Sequence, residues 1–202
     1  MRSSVRQIEV REAILDATDS LLSRYGYKKM TIDDLAKEVG IGKGSVYLHF
    51  TSKEEIVLSH IDRIIEQLKG KLSAIARASA EKPEDRLQKM LKTRVLHRFE
   101  SVQHYTQNLN DLLSAIRPRF LARRENYFTE EARIFASVIE EGQQMDKFID
   151  GAASEIAESL ILATNSLLPF SLTVQELGAR RDIEAKVTRL AELLMQGLCA
   201  RK

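Results

Sequence analysis

The feature that most constrains this chain is a glycine-punctuated stretch, residues 31–53, which reads TIDDLAKEVGIGKGSVYLHFTSK. Before the glycines, apolar residues recur at the spacing of one helical face: Ile32, Leu35, Ala36 and Val39. Thr31 and Asp34 match a capping box at the start of this helix, and Gly40 suits the left-handed conformation at its end. A second short helix follows, with Val46 and Phe50 one turn apart on one face. The stretch therefore predicts two short helices joined by a tight glycine turn.

The second short helix presents polar side chains on its remaining faces. If Val46 and Phe50 point inward, the outward positions are Lys43, Gly44, Ser45, Tyr47, Leu48 and His49. No acidic residue occurs from Val39 to Lys53, and the donors present suit phosphate oxygens and base edges. The arrangement fits a helix-turn-helix, whose second helix enters the DNA major groove. The alternative is a short helical hairpin without a DNA role, because generic patterns of this kind have many false positives.

Residues 8–58 resemble the DNA-binding domain of the TetR family of bacterial transcriptional regulators. The residues that carry the resemblance are Ile14-Leu15-Asp16-Ala17, Leu21-Leu22, Tyr25-Gly26-Tyr27, Thr31-Ile32, Leu35-Ala36, Val39-Gly40-Ile41, Lys43-Gly44-Ser45, Val46-Tyr47, His49-Phe50 and Ser52-Lys53-Glu54. Three positions depart from the family pattern. Gly42 stands where serine is frequent, Leu48 where an aromatic residue or histidine is frequent, and Met30 where threonine is common. The first two departures concern DNA contacts that this chain would make differently.

The resemblance implies a DNA-binding regulator, and together with the donor pattern it selects the contacting residues. We expect DNA contacts from Thr31, Lys43, Gly44, Ser45, Tyr47, Leu48, His49 and Lys53. Thr31, Lys43, Tyr47, His49 and Lys53 are expected mainly to anchor phosphates, and Lys43, Gly44, Ser45 and Tyr47 are candidates for reading bases. The family further implies a repressor that a small-molecule ligand releases from a palindromic operator. The alternative is a ligand-independent regulator or an activator with a solid C-terminal bundle.

The rest of the chain is expected to be helical as well. Of 202 residues only three are proline, and apolar residues recur at helical spacing over 8–25, 53–79, 83–99, 102–116, from Phe120 to Gly142, 152–168 and 182–198. Pro118 is expected to separate two of these helices. The boundary at Glu81-Lys82-Pro83 divides the chain into a helix-turn-helix domain (1–52), a linking helix (53–82) and a ligand-binding and dimerisation domain (83–202). The predicted fold class is all-α, with a three-helix N-terminal head and a C-terminal helical bundle.

The last two predicted helices are too apolar for one side of a monomer core. Residues 152–168 and 182–198 carry apolar residues on more than one stripe, so their outer surface requires a partner. A second copy of the chain is the simplest partner, because two-fold homodimers are the commonest oligomers. Pairing of the last two helices with their mates is also what the TetR resemblance implies. Burial of both helices within one subunit is the alternative.

A ligand site is expected between helices of the C-terminal bundle. Polar-tipped and aromatic residues in or beside apolar stripes form the candidate set: Phe99, Tyr105, Asn108, Leu109, Leu113, Phe120, Tyr127, Phe135, Leu160 and Asn165. Each alone is more often plain core, and the TetR resemblance is what implies a small-molecule effector in this region. The basic residues Arg117, Arg119, Arg123 and Arg124 are interpreted as an exposed turn.

Other classes of function find little support in the sequence. The four histidines form no i, i+4 pair, and no Gly-x-Ser-x-Gly motif occurs, so we expect neither a metal site nor an enzyme. No cofactor motif is present. Cys199 is the lone cysteine, which is consistent with a reducing compartment. No apolar run reaches the roughly 18 residues of a membrane span, and we expect a cytoplasmic protein without membrane contact. The net charge of +2 means that any basic DNA-binding surface must be local.

Overall fold

The computed structural model of this chain describes residues 2–102, 109–169 and 178–199, with side chains from residue 7 onward except at 109 and 110. Within these ranges the secondary structure is helical, and the only extended pairing is an isolated bridge between Phe148 and Cys199. The all-α prediction is confirmed. None of the described helices is long and apolar enough to cross a membrane.

The helices follow the apolar repeats of the sequence closely. They are α1 (Arg2–Lys29), α2 (Ile32–Val39), α3 (Lys43–Tyr47), α4 (Lys53–Ala76), α5 (Pro83–Val102), α6 (Leu109–Gln144), α7 (Ala153–Thr164), a 3-10 turn (Asn165–Leu167) and α8 (Arg180–Leu198). Gly26 interrupts α1 with φ 71° and ψ 169°, at the position where the sequence predicts the helix to stop. Glycine adopts this backbone conformation without the steric cost that a Cβ would bring.

The prediction of a helix break at Pro118 is wrong. One helix, α6, runs from Leu109 to Gln144 with Pro118 inside it. A proline removes one hydrogen bond to the carbonyl four residues earlier, here that of Ser114. Both Pro118 and Ser114 are exposed, so water can hydrate that carbonyl and the interruption is tolerated. The four arginines at positions 117, 119, 123 and 124 therefore lie on a helix, and their interpretation as a turn is wrong.

The chain divides into two compact units that do not follow chain order. The first unit consists of Met1–Ile64 and His104–Leu121, and the second of Ile65–Gln103 and Ala122–Lys202. In the first unit the ends of α1 and α2 are joined by an Arg24–Glu38 ion pair at 3.1 Å. Its core consists of buried apolar residues from α1 to α4 and α6, among them Ile14, Leu22, Leu35, Val46, Leu58 and Leu112.

The second unit is built around one apolar cluster drawn from α4 to α8. Its fully buried members include Leu72, Leu91, Phe135, Ala157 and Ala191. Helices α5 and α8 pack against each other, and α7 contacts both. The short connection after α6 returns to this cluster, because Phe148 is buried and the Ile149 N–H donates to the Leu198 carbonyl at 3.0 Å.

A buried ion network joins three helices of the second unit. Arg94 on α5 donates to Glu131 on α6 at 2.7 Å, and Arg98 donates to the other oxygen of the same carboxylate. Arg94 also donates to Thr164 Oγ1 and to Asn165 Oδ1, both at 2.7 Å. Arg94 and Glu131 are both 0% exposed. Burial lowers the pKa of Arg94 to about 10, which still leaves its guanidinium protonated at neutral pH.

We predict that Glu131→Gln destabilises the protein far more than the same change at the neighbouring position. The substitution leaves two buried guanidinium groups without a carboxylate, which costs about 3–5 kcal/mol in the free energy of unfolding. Glu130→Gln is the matched control, since Glu130 pairs with Lys69 at 2.7 Å near the surface and such pairs contribute about 1 kcal/mol or less. Urea denaturation of both variants provides the measurement. Equal losses would show that the buried network does not hold the three helices together.

Candidate nucleic-acid interface

Helix α2 begins with the capping box that the sequence predicts. The Asp34 N–H donates to Thr31 Oγ1 at 3.1 Å, and the Thr31 N–H donates to Asp34 Oδ2 at 3.0 Å. The Thr31 hydroxyl donates to the same carboxylate at 2.6 Å, and this hydrogen bond lowers the pKa of Asp34. The hydroxyl that was expected to contact phosphate is thus already engaged at the start of α2.

A glycine turn then redirects the chain into α3. Gly40 is left-handed, with φ 75° and ψ 33°. Its N–H donates to the Lys37 carbonyl at 3.2 Å, and the next N–H, of Ile41, donates to the Ala36 carbonyl at 2.9 Å. These bonds satisfy carbonyls that the helix end would otherwise leave without partners. Backbone hydrogen bonds therefore fix how α2 ends and how the chain enters the turn before α3.

Helix α3 has five residues, and its orientation is set by two buried side chains. Val46 is 0% exposed and Phe50 is 3% exposed, and the Arg11 guanidinium lies 5.2 Å from the centre of the Phe50 ring. The opposite face is open: Lys43, Gly44, Tyr47 and Leu48 are exposed, and Ser45 and His49 are half-buried. Leu48 is 84% exposed and Tyr47 is 50% exposed. The structure brings six of the eight predicted DNA contacts onto this one helix and the turn after it.

Lys43 has a partner that the sequence pattern does not reveal. Although no acid lies between Val39 and Lys53 in sequence, Asp33 on α2 reaches the Lys43 ammonium at 2.7 Å. The hydrogen bond to Asp33 raises the pKa of Lys43. Both side chains are more than half exposed, and exposed ion pairs of this kind contribute little to stability. Another anionic group can therefore replace Asp33 as the partner of Lys43 with little loss of stability.

Lys53 lies at the start of α4, and its ammonium faces the end of α1. It donates to the Tyr27 carbonyl at 2.9 Å and to the Met30 carbonyl at 3.1 Å, and lies 4.3 Å from the centre of the Tyr27 ring. Partial burial lowers the pKa of Lys53. These carbonyls are more than 20 residues away in sequence, so no local pattern indicates the contact. One of the three ammonium donors remains for a phosphate.

The residues predicted to bind a ligand are divided between the two units. Leu113 and Phe120 belong to the first unit, where both are half-buried. The others with described side chains belong to the second unit and are buried or half-buried: Phe99, Tyr127, Phe135, Leu160 and Asn165. Tyr105, Asn108 and the side chain of Leu109 lie outside the described part of the chain. Asn165 accepts a hydrogen bond from Arg94, so one predicted ligand contact belongs to the buried ion network.

Sequence reasoning did not identify that network. Arg94 and Arg98 lie on α5 and Glu131 lies on α6. The three residues belong to no motif, and long charged residues are ordinarily exposed. The one available signal is that Arg94 and Arg98 occupy the same helical face as Leu87 and Leu91. Within the described residues, no group of three or more histidine, cysteine or acidic side chains is arranged to hold a metal ion.

Comparison with known proteins identifies the helix-turn-helix part of the chain. Residues 14–59 match the model of a family described as bacterial regulatory proteins, tetR family. The uncharacterized HTH-type transcriptional regulator YerO of Bacillus subtilis is 33% identical over 97 residues, which are 48% of this chain and 32% of YerO. The matched stretch thus spans about a third of that relative's length.

Solved structures match nearly the whole chain at lower identity. A transcriptional regulator from Cytophaga hutchinsonii has a TM-score of 0.78 and 24% identity, covering 94% of this chain and 98% of that one. A regulator from Saccharomonospora viridis in complex with choline has a TM-score of 0.64 and 22% identity, covering 96% and 99%. The TM-scores show that these proteins share the fold of this chain, and at identities below 25% the comparison shows the fold alone.

The position of Lys53 generates a prediction about stability. Lys53→Met keeps most of the length of the side chain but removes both charge-assisted hydrogen bonds to the end of α1, which costs about 1–2 kcal/mol. Lys28→Met is the control, because Lys28 is 72% exposed and pairs with Asp111 at the surface. Thermal unfolding should show a lower Tm for Lys53→Met alone. An unchanged Tm would mean that the ammonium does not stabilise the end of α1.

Proposed function

Because this chain belongs to the TetR family of transcriptional regulators, we propose that it acts as a dimeric repressor that binds a palindromic operator and leaves it when a small molecule binds. The observation that carries the DNA-binding part is the open face of α3. Its buried side holds the helix in place, and its exposed side presents Lys43, Gly44, Tyr47 and Leu48 together. A helix of this kind, preceded by a tight turn, is the element that enters the major groove.

We assign the phosphate contacts from the hydrogen bonds that each donor already makes within the protein. Lys43 exchanges its surface pairing with Asp33 for a phosphate, and Tyr47 and His49 donate to neighbouring phosphates. Lys53 keeps its two carbonyl contacts and uses its remaining donor. Thr31 acts mainly by capping α2, because both its hydroxyl and its N–H are bonded to Asp34. Ser45 and Gly44 approach base edges, with Lys43 and Tyr47 beside them.

We expect Lys43→Met to weaken DNA binding evenly across sequences without affecting stability. Each phosphate contact that is lost reduces the slope of log affinity against log salt by about one unit. Lys89→Met is the control, since it removes the same charge from an exposed position on α5. Fluorescence anisotropy with operator and unrelated DNA over a range of salt concentrations measures both quantities. A change in sequence preference instead would assign Lys43 to base reading.

The proposed dimer uses exposed apolar residues on the last two helices. Leu162 on α7 is 72% exposed and Leu193 on α8 is 60% exposed, although both helices have buried inner faces. Pairing these helices with those of a second copy covers both leucines. Two copies also provide two reading helices, as a palindromic operator requires.

Introducing a charge on this surface should separate the subunits. We predict that Leu162→Glu and Leu193→Glu each shift the protein from dimer to monomer in analytical ultracentrifugation and abolish tight operator binding. Leu121→Glu is the control, because Leu121 is an exposed leucine on α6 outside the proposed interface. A dimer that persists in both variants would contradict the assigned interface.

The release step is supported by the residues of the second unit and by the fold. The structure that shares this fold and contains choline is an example of such a regulator with a small molecule bound. The proposed apolar contacts are Phe99, Tyr127, Phe135 and Leu160, all of which are buried, and the proposed polar contact is Asn165, which accepts a hydrogen bond from Arg94. A ligand that favours one state of the dimer by about 1–3 kcal/mol weakens operator binding about 5- to 150-fold.

Genome-wide footprinting is the decisive experiment for this proposal. It identifies the operator, and the genes beside it suggest compounds to test for release in a binding assay. Operator binding that no such compound weakens would favour the ligand-independent regulator. Increased transcription from the bound promoter would favour an activator. Absence of any specific footprint would overturn the proposed function itself.

A further inference from the structure

The fold of the protein does not explain why glycine occurs at position 44 on α3, or why leucine occurs at position 48 directly after this helix. Gly44 and Leu48 are four residues apart and therefore lie one above the other on the helix surface. Leu48 is 84% exposed, more than any other large apolar side chain in the described part of the chain. Its exposure on the proposed DNA-reading face contrasts with the burial of Val46 and Phe50 on the other side of the helix.

Neither the backbone nor the packing of α3 requires a glycine at position 44. Gly44 lies within the helix and has no positive φ, and a Cβ added to it would meet no other atom within 4 Å. Alanine would be the better helix former at this position. A glycine that the protein's own fold does not need is consistent with close approach of an external molecule to the backbone.

The two residues leave open space on the same side of the helix. Helical side chains lean toward the N-terminus of their helix, so Leu48 leans toward the turn that contains Gly44. Because Gly44 has no side chain and no atom lies within 4 Å of the position of its missing Cβ, an open surface remains beside Leu48. Lys43 and Tyr47, which are both exposed, lie beside this surface and can make the polar contacts.

Only one base presents an apolar group in the major groove, namely thymine with its 5-methyl group. We propose that Leu48 recognises the 5-methyl group of one thymine in each operator half-site, and that Gly44 allows this base to approach α3. This inference rests on the proposed role of α3 in reading operator DNA. Leu48 is then a specificity-determining residue, at one of the positions where the chain departs from the TetR pattern.

Replacing thymine with deoxyuridine tests the contact directly, because it removes the methyl group and leaves the hydrogen-bonding groups in place. Each thymine of the footprinted operator is replaced in turn, at symmetric positions in both half-sites, and affinity is measured by fluorescence anisotropy. Burying one methyl group contributes enough free energy for about a fourfold effect per half-site, or about fifteenfold for both. We expect this loss for the wild-type protein at one symmetric pair of thymines.

The Leu48→Ala variant should lose this discrimination while still binding DNA. At the sensitive pair of positions, the ratio of affinities for thymine and deoxyuridine should fall from about fifteen to about one. Leu121→Ala, an exposed leucine on α6, is the matched control and should keep the wild-type ratio. An unchanged ratio in Leu48→Ala would overturn the inference, as would a wild-type protein that distinguishes the two bases at no position.

Gly44→Ala supplies a second, independent test against a matched glycine. Gly70 is an exposed glycine inside α4, where a Cβ also meets no atom within 4 Å. Gly70→Ala should raise the Tm by roughly 2–4 °C and leave operator binding unchanged. Gly44→Ala should also preserve or raise the Tm, yet weaken operator binding and reduce the preference for thymine. Full operator binding by Gly44→Ala would show that no base approaches the helix there.

These measurements separate failure of the inference from failure of the proposed function. A wild-type protein that binds its operator tightly but ignores the thymine methyl group overturns the inference and leaves the proposed function intact. A wild-type protein that binds no specific DNA overturns the proposed function and the inference with it.

Discussion

The helix that presents the proposed DNA-reading side chains is too short to form by itself. A five-residue helix has few internal hydrogen bonds, and isolated helices shorter than about 12–15 residues are marginal in water. Helix α3 therefore depends on burial of Val46 and Phe50 and on the hydrogen-bonded turn at Gly40. Because the interior side of α3 provides this stability, residues on the outer side are free to be chosen for contact with DNA.

Three of the polar residues proposed to contact DNA already have partners within the protein. Thr31 is bonded to Asp34, Lys43 to Asp33, and Lys53 to two carbonyls at the end of α1. In the proposed function, DNA binding on this surface is an exchange of partners, in which only the exposed Lys43–Asp33 pair is easily given up. With a net charge of only +2, the chain has little long-range attraction to DNA to offset such an exchange. Local fit between α3 and the groove therefore carries more of the selectivity.

In the second unit, a network of charged side chains inside an apolar cluster connects the helices. One carboxylate, that of Glu131, receives hydrogen bonds from two arginines, and Arg94 extends the network to Thr164 and Asn165. The partners of Arg94 are 37 to 71 residues away in sequence, on three different elements. Hydrogen bonds are directional, so the network specifies how α5, α6 and α7 are registered more strictly than apolar packing does.

The sequence by itself determined the class of fold, the helix-turn-helix and its two caps. These depend on local periodicity and on residues within four positions of each other, such as Thr31 with Asp34 and Gly40 with the helix it ends. It did not determine that α6 continues through Pro118, because that depends on whether Ser114 and its neighbours meet water. Nor did it determine the partners of Lys43, Lys53 and Arg94, which are contacts between distant parts of the chain. Only the tertiary structure decided which charges are already paired, because these pairs join residues that are far apart in sequence.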